Sequence, residues 1–139
     1  MSQRMGNLAQ GDLPKLAKPK IIAVLTDLMF TVKILDAAKQ AGLEPVFVKT
    51  EQDALRLARE KPALIILDLN SNAFEPLRLI EQLKNDATLQ DIPLLGFVSH
   101  VQADLKQAAE ERGCNQVMPR SAFSHNLPAI LAKYTAIPK

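Results

Sequence analysis

The chain of 139 residues has no Trp and one Tyr, so five Phe make up nearly all of its aromatic content. Single-stranded nucleic acid is gripped by aromatic side chains on which bases stack, and this scarcity argues against such a surface. Cys114 is the only cysteine. No intramolecular disulfide can form, which fits a reducing compartment. The longest apolar runs, such as Ile21–Leu25 and Ala63–Leu67, are five residues long, whereas a membrane-spanning helix needs roughly 20. The first thirty residues contain no signal-peptide-like apolar region directly behind a basic start and no A-x-A-like cleavage site. A soluble, cytoplasmic protein is therefore expected. Charge of one sign is also lacking. The net charge is +2, too small to imply nucleic acid or an acidic membrane as partner. Residues 1–20 carry +3, from Arg4, Lys15, Lys18 and Lys20 against Asp12, which leaves −1 for the rest. The basic excess belongs to a segment, 1–18, without sustained periodicity, read as a flexible, solvated tail. There is no G-x-G-x-x-G, no P-loop and no C-x-x-C, and His100 and His125 are too far apart in sequence for a local metal motif.

What is present is a regular alternation. Hydrophobic residues are 47% and charged residues 23%, ordinary for one globular domain, placed here at 19–139. Short apolar runs read as strands at 21–25, 45–48, 63–68, 93–98 and 116–118. Amphipathic segments follow each. The first carries Phe30, Val32, Ile34, Leu35, Ala38 and Ala41 and stops at Gly42. The second opens on Thr50-Glu51-Gln52-Asp53, a variant of the capping box, and buries Ala54, Leu55 and Ala58. The third has Pro76 in its first turn, where a missing N–H costs nothing, and a stripe of Leu77, Ile80 and Leu83. The fourth carries Ala103, Leu105, Ala108 and Ala109 and closes at Gly113. The last is lined by Leu127, Ile130, Leu131 and Tyr134. Cys114 and Met118 read as core residues.

Strand then helix, five times over, predicts an α/β fold: a five-stranded parallel sheet with helices on both faces. All strands of such a sheet end on one edge, and that edge is where open α/β sheets bind ligands. Asp27, Asp68, Ser99 and Arg120 each follow a strand, so two carboxylates, a hydroxyl and a guanidinium should converge there. Asp68 stands out because it closes the continuous run Ala63–Leu67. The alternative reading is that it only shapes the turn by accepting backbone N–H bonds.

With these residues in place, the segment from about Lys20 to Tyr134 resembles a bacterial response-regulator receiver domain. The resemblance implies the flavodoxin-like strand order 2-1-3-4-5, which periodicity cannot supply. It implies that Asp68 is the phosphoryl acceptor, that Ser99 hydrogen-bonds the phosphoryl group and that Arg120 meets its charge. It implies that Mg²⁺ is held by Asp27, Asp68 and the Asn70 carbonyl. The sequence departs from the family pattern in several places. Thr26 takes one position of the acidic pair, Arg120 stands for Lys, and Ser121 stands for the Pro that follows it. His100 replaces a small residue, Val117 replaces the rotating Tyr or Phe, and Pro76 replaces a Gly. The chain looks like a degenerate receiver that keeps its acceptor and has lost part of its switch.

Three functional readings follow. The first is a single-domain signalling protein, not an enzyme, taking a phosphoryl group on Asp68 from a sensor histidine kinase or histidine phosphotransfer protein. It would contact its target through the fourth helix, fifth strand and fifth helix. The second is a pseudo-receiver that acts as a phosphorylation-independent adaptor. The third is a small-molecule binder on the same edge. With Lys139 just past the last helix, no output domain is expected.

Overall fold

A computed structural model describes residues 18–99 and 102–135. The expected tail lies outside the described residues except for Lys18, and so does His100. Five parallel strands form one sheet: β1 Lys20–Val24, β2 Glu44–Val48, β3 Leu64–Asp68, β4 Leu94–Val98 and β5 Gln116–Pro119. Their order is β2-β1-β3-β4-β5, the flavodoxin-like order. The helices are α1 Leu28–Gln40, α2 Glu51–Ala58, α3 Pro76–Lys84, α4 Ala103–Glu111 and α5 Arg120–Ala132. Pro45 and Pro119 fall on the two edge strands, where a missing donor breaks no central ladder.

Alternation along the strands sorts side chains to two faces. Ile22, Val24, Ile65, Leu67, Leu94 and Val98 join residues of α2, α3 and α4 in one core. Ile21, Ala23, Ile66, Leu95 and Phe97 join α1 and α5 in the other. Every residue of β3 and β4 is buried, which is why both read as continuous apolar runs.

Local signals explain some helix ends. The Thr50 hydroxyl accepts from the Asp53 N–H at 3.1 Å, so the expected cap of α2 is present. Replacing Thr50 with Ala should cost about 1 kcal/mol, measurable by urea denaturation. Gly42 follows α1 with φ 76°, a backbone conformation that favours Gly. Several helix faces differ from expectation. In α2 Ala54 and Ala58 are buried but Leu55 is only partly covered. In α1 the buried residues are Phe30, Ile34, Ala37 and Ala38, and Val32 is half exposed. In α3 Leu79 is buried while Leu77 is partly covered. In α4 only Ala109 is buried, and Ala103 is exposed. The fifth helix begins immediately after β5, at Arg120, and continues through Pro128. Met118 is half-buried rather than core.

Cys114 is buried, with Sγ 3.4 Å from the Gln116 carbonyl. Burial pushes its thiol pKa up to about 11. Alkylation by iodoacetamide near pH 8 should therefore run at least ~100-fold slower than in the denatured chain, because the thiolate is the reactive form.

Candidate functional site

The carboxyl edge of the sheet gathers the residues expected there. Asp68 is the last residue of β3, flanked by β1 and β4, and is only 6% exposed. Its Oδ1 accepts the Asn70 N–H at 2.9 Å. The turn-shaping contact is therefore real, and it uses only one of the two oxygens. Burial raises the Asp68 pKa above its ordinary value. The Asn70 N–H and the Arg120 charge pull it back in part, and Asp27 adds to the rise. Asp68 Oδ2 takes no hydrogen bond among the described residues.

Asp27 sits where β1 gives way to α1 and caps that helix, its Oδ1 accepting the Phe30 N–H at 3.0 Å. Its Oδ2 meets Arg120 Nη2 at 2.5 Å. Arg120 is the first residue of α5, and its other terminal nitrogen lies 3.8 Å from Asp68 Oδ1. One guanidinium thus bridges both carboxylates. It also rests on aromatic faces, with its central carbon 4.6 Å from the Phe30 centroid and 5.4 Å from that of Phe97. Phe97 in turn stacks on Phe123 at 4.8 Å and 11°. Such cation–π contacts hold a guanidinium in place as well as attract it.

Asn70 acts as a strap. Its side-chain carbonyl accepts the Ser99 N–H at 2.9 Å, and its amide donates to Gln102, the residue ahead of α4. The end of β3, the end of β4 and the start of α4 are thereby tied together. Ser99 and Arg120 line a common cleft of about 480 Å³ with Met29, Phe30, Lys33, Ser121 and Ser124. The structure thus unites Asp27, Asp68 and Arg120 directly, and joins Asn70 and Ser99 to them through the strap.

The platform of Phe30, Phe97 and Phe123 is the part that sequence reasoning missed. The helix cap at Asp27 was also missed, although an Asp just before an apolar helical pattern is a recognised start signal. Val117 is a buried β5 residue on the sheet face covered by α2, α3 and α4. Ser121 is the second residue of α5, and no peptide bond is cis among the described residues.

The donor set does not fit Mg²⁺ as it stands. Mg²⁺ needs a near-octahedral oxygen shell, yet both Asp27 oxygens are engaged by the chain itself, as is one of Asp68.

No family model matches the chain. It is 26% identical over 98 residues to the polar-differentiation response regulator DivK of Brucella anthropi, a match spanning 69% of this chain and 80% of that protein. The phosphorylated cyanobacterial phytochrome response regulator RcpA superposes with a TM-score of 0.71 at 24% identity, covering 84% of this chain and 91% of that one. The receiver domain of the sensor histidine kinase PA1611 of Pseudomonas aeruginosa, solved with a magnesium ion in its active-site cleft, gives 0.72 at 14% identity, covering 85% and 98%. The chain has the receiver fold and resembles response-regulator receiver domains in sequence.

Proposed function

We propose that this receiver-like chain signals in a phosphorelay by accepting a phosphoryl group on Asp68. The observation that carries the reading is the asymmetry of the Asp68 carboxylate. Oδ1 is fixed by the Asn70 N–H, whereas Oδ2 has no hydrogen bond among the described residues and stands at the ligand-binding edge of the sheet. Oδ2 is the nucleophile. It attacks the phosphorus of a phosphohistidine on the partner; the O–P bond forms as the P–N bond breaks. The electron pair leaves with the imidazole, which is reprotonated from solvent. Such a transfer needs alignment and charge neutralisation more than proton chemistry. Arg120 supplies a permanent positive charge between the two carboxylates, and Ser99 offers a hydroxyl beside it. The product adds a charge of about −1.5 to −2.

The partner is a sensor histidine kinase or a histidine phosphotransfer protein. The large exposed apolar side chains, Leu28, Met29 and Val32, lie on α1, whose first turn is held by Asp27 next to Arg120. They form the surface on which that partner would sit. A target contact through α4, β5 and α5 has no comparable apolar feature among the described residues.

The adaptor reading is favoured by one observation: Asp27 is tied into the helix cap and the Arg120 pair, which closes part of the edge. Transfer from a histidine phosphotransfer protein, phosphorylated beforehand on its histidine, separates the two readings. Loss of label from the donor, with gain of hydroxylamine-labile label on this chain, supports Asp68 chemistry. A donor that binds but keeps its label supports the adaptor.

A further inference from the structure

The guanidinium of Arg120 stands between the two carboxylates with both its charge and its geometry committed. Nη2 is 2.5 Å from Asp27 Oδ2 and Nη1 is 3.8 Å from Asp68 Oδ1. The planar fork lets one residue address two carboxylates at once, which a lysine ammonium does less well. The Phe30 and Phe97 rings back it on the protein side. The negative charges at the edge already have an internal counter-ion. Of the four oxygens of Asp27 and Asp68, the Phe30 N–H, Arg120 and the Asn70 N–H engage three. Beyond Asp68 Oδ2, a hard cation could gain an Asp27 oxygen only by displacing Arg120 from Oδ2 or by competing with the α1 cap at Oδ1. Thr26, the neighbouring position, offers no carboxylate and is exposed.

We propose that Arg120 takes the place of a divalent cation at this edge and keeps Mg²⁺ out, so that the positive charge between Asp27 and Asp68 is supplied by the chain itself. This goes beyond the reading of Asp68 as acceptor and stands whether or not a phosphoryl group is ever transferred.

Manganese is the probe, because its paramagnetism broadens only nearby amide signals. Backbone amide spectra of the wild type and of Arg120→Gln are titrated with Mn²⁺ to millimolar concentration. The wild type should show no saturable broadening at residues 27–30 and 67–70. Arg120→Gln, with the competing cation gone, should show it, with Mn²⁺ bound at least about tenfold more tightly. Arg120→Met, which keeps an apolar stem on the Phe30 ring, provides a second variant should the Gln form fail to fold. Saturable broadening at these amides in the wild type would overturn the proposal. So would a folded variant, judged by the same spectrum, that gains no affinity. Failure of the acceptor reading would leave these spectra unchanged.

Discussion

Phe97→Ala is expected to destabilise the protein by about 3–5 kcal/mol, a large part of what a domain of this size possesses. Phe97 is fully buried in β4, between β3 and β5. Its ring stacks on Phe123 and lies 4.8 Å from Phe30 at a tilt of 49°. It therefore joins α1, the sheet and α5 in the core beneath the site. Truncation removes the transfer energy of a whole aromatic ring and leaves a cavity lined by two other rings, which the fixed strand backbone cannot collapse around. Urea denaturation should show a lower midpoint with unchanged slope, and the melting temperature should fall by roughly 10–20 °C. A loss below about 1.5 kcal/mol would mean that the three rings are not the keystone of this face. The same change removes one of the two aromatic faces under Arg120, so the Asp27–Arg120 pair should loosen with it.

The second large effect is functional. Asp68→Asn should abolish phosphoryl transfer completely while leaving the fold intact, because the amide keeps the size of the carboxylate and can still accept the Asn70 N–H. Its effect on stability should depend on pH. Burial raises the folded-state pKa of Asp68 above the unfolded value near 3.8. The native state then binds more protons than the unfolded state between the two values. The contribution is fully present below the unfolded pKa and is lost as pH rises through the folded one. Relative to Asp68→Asn, the wild type should therefore lose stability as pH climbs from below 3.8. Denaturation midpoints of the two proteins across that range check this directly. A wild type that gains on the variant over the same rise would mean that Arg120 and the Asn70 N–H outweigh burial.

The chemistry-bearing ends of the strands were legible because they are local. A buried parallel strand is a short apolar run, and the first polar residue after it marks the edge; Asp68 and Ser99 follow that rule. Strand order was not legible, since it depends on which strands pair and not on what any strand contains. It came from resemblance. The face of α1 was misread at Ala37 because a small residue gives a weak signal at a buried position. Arg120 was expected at the edge and lies there, but its surroundings were hidden. Its environment is made by Phe30, Phe97 and Phe123, which lie on three different elements and meet only through tertiary packing. The start of the fifth helix was obscured in the same way: its apolar residues were read only from Leu127 onward, whereas it begins at Arg120 and continues through Pro128.

The most direct test of Asp68 as acceptor is chemical trapping. The purified protein is incubated with acetyl phosphate, reduced at once with borohydride, digested and mapped by mass spectrometry. Borohydride converts an acyl phosphate to an alcohol and spares a free carboxylate, so it marks the residue that carried the phosphoryl group. Reduction at position 68, absent in Asp68→Asn, is the predicted result. An unmodified Asp68, or an alcohol at another acidic residue, would contradict it.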